Sequence, residues 1–77
     1  KLRFLKDKET HYRECIRILK QQNIKYPYNA INYCELARYY ANIGQIDKAK
    51  GMMEIAVHLA PSSRFISRSA ARLFSHI

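Results

Sequence analysis

The stretch YCELARYYANIGQIDKAKGMMEIAVHLAP, Tyr33 to Pro61, decides the fold. Tyr33, Leu36, Ala37 and Tyr40 stand at i, i+3, i+4 and i+7, which puts them on one apolar stripe of a helix. Gly44 interrupts that pattern. Ala49, Met53, Ala56, Val57 and Ala60 then supply a second stripe at helical spacings, and Pro61 stops it. A helix with a single apolar face is not stable alone in water, so the two must pack together.

The same residues carry a family resemblance. Tyr33-x2-Leu36-Ala37-x2-Tyr40, then Ala49-x3-Met53, then Pro61 is similar to the signature Trp-x2-Leu-Gly-x2-Tyr, Ala-x3-Phe, Pro of the tetratricopeptide repeat (TPR), whose period is about 34 residues. Tyr for Trp keeps a large aromatic, Ala for Gly stays small, and Met for Phe stays large and apolar. No signature position is filled by a charged residue.

Internal self-similarity supports a repeat without reference to the family. Shifted by one such period, Cys15 falls on Ala49, Leu19 on Met53, Pro27 on Pro61 and Tyr12 on Ile46. Leu36 likewise falls on Ala70, Ala37 on Ala71 and Tyr40 on Phe74. Tyr33 onto Ser67 and Gln22 onto Ala56 do not match. The resemblance implies an all-α fold of about four helices, antiparallel hairpins stacked as a short TPR-like superhelix. In that arrangement residues 46–59 pack back on 30–42, and Tyr40 and Phe74 occupy equivalent environments. An ordinary helical bundle with coincidental spacing is the plainer alternative.

Outward from the central unit, residues 1–6 do not fit a first helix, because Arg3 and Lys6 fall where Ala37 and Tyr40 stand one period later. They read as an extension of the next helix or as frayed. That helix is expected from about Asp7 to Asn23, with Tyr12, Cys15, Ile16 and Leu19 inward and Asp7 or Thr10 as possible caps. Pro27 breaks the chain after it, and Asn29 is a good N-cap for a helix over 30–42. Gly44 suits the left-handed residue that closes that helix. Asp47 falls in the first turn of the helix over 46–59, where its charge complements the helix dipole. Gly51 weakens that helix by about 1 kcal/mol relative to Ala. Ser63 caps a last helix over 64–76. In repeat terms, 7–26 is the second helix of a partial unit, 30–63 a complete unit, and 64–77 the first helix of a following one. Leu73, Phe74 and Ile77 would then lack the cover of a next helix, which implies a longer array or self-association through this face.

The chain has 77 residues, 48% of them apolar, a composition of folded rather than disordered protein. No apolar run approaches a membrane-spanning length, and no signal peptide is visible. Cys15 and Cys34 read as small buried hydrophobes in a reducing, cytoplasmic setting. His11 and Cys15 share a helix face, but no second pair of ligands follows at a zinc-like spacing. The net charge of +8 is concentrated at the ends. Residues 1–26 carry eight basic side chains against Asp7, Glu9 and Glu14, and Arg64, Arg68 and Arg72 have no acid near them in sequence.

No phosphate loop, nucleophile–base set or carboxylate pair is present, so the expectation is a non-catalytic protein without a cofactor. The resemblance implies a scaffold whose first helices line a concave groove for a peptide or partner helix. In register the groove positions are Ile31, Cys34, Glu35, Arg38 and Asn42, then Phe65, Arg68, Ser69 and Arg72. Arginine forks bind carboxylates bidentately, so the implied ligand is an acidic segment of another protein. The plainer reading is that Arg38 pairs with Glu35 at i, i+3 and the other arginines are solvated. Some family members clamp the terminal carboxylate of chaperones with Lys and Asn. Here Glu35 and Arg38 hold the central positions, so that activity does not carry over. An alternative function is nucleic-acid binding through Arg13, Arg17 and Lys20, one face of the basic N-terminal helix, although no aromatic is interleaved there for base stacking.

Overall fold

The structure is a computed structural model. It describes residues 2–76, and the side chains of 8–75. Four helices follow one another: α1 (Leu2–Lys25), α2 (Ala30–Asn42), α3 (Ile46–Leu59) and α4 (Arg64–His76). No strand occurs among the described residues, so the fold is all-α.

The helix boundaries follow from local chemistry. Asn29 has an extended backbone, and its Oδ1 accepts the Ile31 amide at 3.1 Å, occupying a donor that the first turn of α2 leaves unpaired. At the other end Gly44 takes φ +83°, the left-handed region that Gly adopts without a Cβ clash. The Gly44 amide donates to the Ala41 carbonyl (3.1 Å) and the Gln45 amide to the Tyr40 carbonyl (2.9 Å), the paired closure of a Schellman motif. Ser63 Oγ accepts the Ile66 amide at 3.3 Å and starts α4. The Tyr33 hydroxyl donates to the Pro27 carbonyl at 2.9 Å, tying the first connector to α2.

The N-terminal helix differs from expectation. α1 begins at Leu2 and continues through Asp7 and Thr10, so neither acts as a cap. Residues 2–6 extend the helix; Lys1 lies outside the described residues.

α2 is the central element and packs against all three others, most extensively against α3. α4 rests on α2 and α3, while α1 packs chiefly on α2 and reaches α3 through side chains such as Ile16. The core accordingly has two parts. Cys34, Ala37, Met53, Ala56, Ile66 and Ala70 join α2, α3 and α4. Ile16, Leu36, Tyr40 and Ala49 join α1, α2 and α3. Small side chains recur where helices meet: Ala37, Ala49 and Ala56 are fully buried. At such positions the absence of bulk lets backbones approach closely and large neighbours such as Leu36 and Met53 fill the rest.

Residues 46–59 do pack back on 30–42. Tyr40 and Phe74, however, are not in equivalent environments: Tyr40 is 5% exposed and Phe74 41%. Tyr40 lies with Ile16 of α1 and Ala49 of α3, whereas among the described residues α4 contributes Ile66, Ala70 and Leu73 to the core. Ala71, one period after the buried Ala37, is exposed for the same reason. Ile77 lies outside the described residues. Among the described side chains of α1, Ile16 alone is fully inward; Tyr12, Cys15 and Leu19 are half-buried, because α1 is covered chiefly by α2 and buries one narrow line of residues. Cys15 therefore departs from the expected buried thiol, while Cys34 is completely enclosed.

Candidate binding groove

α2 and α4 run beside each other, and an open groove of about 620 Å³ lies between them. Arg38, Ala41 and Asn42 line it from α2, and Phe65, Ser69, Arg72 and Leu73 from α4. Each set is spaced at three or four residues, so it falls on one helix face. Ile46, the first residue of α3, completes the apolar part of the lining.

The groove joins an aromatic surface to two guanidinium groups. Phe65 is 52% exposed, a large apolar ring open to solvent at the groove. Among the described residues no carboxylate lines the groove. Arg38 is held by Glu35, Nη1 to Oε1 at 3.0 Å, the i, i+3 pair legible in the sequence. Arg38 remains mostly exposed, so that pair contributes little to stability and yields readily to a better-placed carboxylate. Arg72 has no acidic partner among the described residues.

The structure thus brings together Arg38, Asn42, Phe65, Ser69 and Arg72 of the expected positions. Glu35 sits behind them as the partner of Arg38. Ile31 and Arg68 are exposed but outside the lining. Cys34 must be removed from the set: at 0% exposure it belongs to the core beneath α2, and no ligand can reach it. Ala41, Ile46 and Leu73 were missed, because their part in the groove depends on how α3 enters between the two helices.

The basic face of α1 is partly compensated. Arg13 Nε donates to Glu9 Oε2 at 3.3 Å, and Arg17 pairs closely with Glu14. Hydrogen bonding from Arg17 holds the Glu14 carboxyl below the usual carboxylate range, and the same bond raises Arg17 further. Both pairs are more than half exposed and remain available to other anions. His11 Nε2 lies 3.7 Å from Cys15 Sγ, and among the described residues no third ligand joins them. No described helix is long and apolar enough to cross a membrane. Comparison with protein-family models, curated proteins and solved structures finds no match for this chain.

Proposed function

We propose that this chain is a non-catalytic binding scaffold, a TPR-like stack whose α2–α4 groove takes an extended acidic segment of another protein. The observation that carries the reading is the groove itself: two arginines and an exposed phenylalanine share it, with no acid among the described residues that line it. A guanidinium fork matches a carboxylate in shape and charge, which a solvated lysine does not. Phe65 and Leu73 add an apolar surface for a neighbouring side chain of the same peptide. The packing order supports the stack. α2 meets α1, α3 and α4, as expected when first helices of successive hairpins lie side by side, although the unequal exposure of Tyr40 and Phe74 departs from a regular repeat. The two free cysteines fit a reducing compartment such as the cytoplasm.

Fluorescence anisotropy with a labelled peptide of alternating Glu and Leu tests the reading. A charge-assisted hydrogen bond contributes about 1.5 to 3 kcal/mol, so Arg72→Ala is expected to weaken binding about tenfold or more. Arg38→Ala should lose less, because Glu35 already competes for it. Equal affinity for a Lys/Leu peptide, or an unchanged affinity in both variants, would refute the proposal.

A further inference from the structure

A second concavity lies on the opposite side of α2, where α1 passes the turn between α2 and α3. It is a crevice of about 160 Å³ lined by Arg13, Ile16 and Lys20 of α1, Tyr40 and Ile43, and Gln45 and Lys48. It shares no residue with the α2–α4 groove. Three cations from two helices converge on it. Lys20 and Lys48 have no carboxylate within salt-bridge distance among the described residues. Lys48 is held near the crevice by the face of Tyr40, its Nζ 5.7 Å from the ring centroid. Like charges are brought together here; among the described residues Glu9, on the outer side of Arg13, is the carboxylate paired with one of them. Such a cluster costs free energy unless an anion sits in it.

Two further features favour an anion. Gln45 is the N-cap residue of α3 but makes no side-chain capping bond, so the first turn keeps unpaired amides beside the crevice. The crevice, about 160 Å³ and open to solvent, has room for a phosphate group.

Arg13, Arg17 and Lys20 stand at i, i+4 and i+7 and extend the positive charge along α1 for about 10 Å. A single phosphomonoester would use only the crevice; a line of cations leading out of it suits a chain of phosphates. We propose that the crevice seats one backbone phosphate of a single-stranded nucleic acid, with the adjoining phosphates running along α1. Binding to the phosphate backbone is then electrostatic and indifferent to sequence.

The test is anisotropy of labelled homopolymer RNA and DNA with the full chain at increasing salt. Lys20→Gln/Lys48→Gln is compared with Lys50→Gln/Arg64→Gln, which removes the same charge away from the crevice; circular dichroism confirms that both remain helical. Each phosphate neutralised on a single strand contributes roughly 0.7 to the slope of log affinity against log salt. The crevice variant loses that one phosphate and should therefore flatten the slope by about 0.7, and the control should leave it nearly unchanged. Absence of binding to either polymer at low salt would overturn the proposal, as would equal losses in the two variants. Crevice-dependent binding of a phosphoserine peptide without polymer binding would also overturn it, in favour of a phosphoprotein partner. None of these outcomes depends on the acidic-peptide groove.

Discussion

Replacing Ala37 by Leu tests whether small side chains hold the helices at their spacing. Ala37 is fully buried where α2, α3 and α4 meet, enclosed by Cys34, Met53, Ala56, Ile66 and Ala70. Leucine adds three carbon atoms there. With room to fit, their burial would contribute about 0.8 kcal/mol each. In an interior packed to crystal density they instead force side chains off their rotamers or helices apart, a net cost of about 1 to 3 kcal/mol. For a domain of this size a loss of about 2 kcal/mol lowers Tm by roughly 8 to 16 °C. Ala71→Leu is the matched comparison: it stands one period later but is exposed, so its effect should stay within about 0.5 kcal/mol. Urea and thermal unfolding followed by circular dichroism measure both. A neutral Ala37→Leu, or equal losses at the two positions, would mean that the helix faces are wrongly assigned.

The two glycines should respond in opposite senses, because a Cβ meets open space at both and only backbone conformation differs. Gly51→Ala within α3 should stabilise by about 0.5 to 1 kcal/mol, whereas Gly44→Ala should cost about 1 to 2 kcal/mol, its φ being +83°; chemical denaturation reads both. Burial, reinforced by the neighbouring Cys15, raises the Tyr39 phenol above its ordinary pKa. The stability this group contributes is therefore fully present below the ordinary tyrosine pKa and is lost as pH rises through the raised one. Tyrosinate absorbance should show a late-titrating component that disappears in Tyr39→Phe; its persistence would exclude Tyr39 as the source.

Much of the architecture was legible in local chemistry. Asn29, Gly44 and Ser63 mark helix ends because each satisfies a backbone need that few other residues meet. The apolar stripes of 33–40 and 49–60 could be read because a helical period aligns them whatever the partner. The extent of α1 was less legible, since Asp7 and Thr10 are acceptable both as caps and as interior residues. Of the binding surfaces, the α2–α4 groove was legible in part: Arg38, Asn42, Phe65, Ser69 and Arg72 follow from register. The crevice was half visible, in Arg13 and Lys20.

The sequence alone determined where the helices start and stop from residue 30 onward, and which stripe of α2 and α3 turns inward, because caps and periodicity act over a few residues. Tertiary packing decided how deeply each register position is buried. Cys34 is sealed while Cys15 is half open, and Tyr40 is covered while Phe74 is not, because cover depends on how many helices flank each one. It also placed Lys48 beside Lys20. Their meeting depends on the angle at which α1 crosses the α2–α3 turn, a quantity no local pattern encodes.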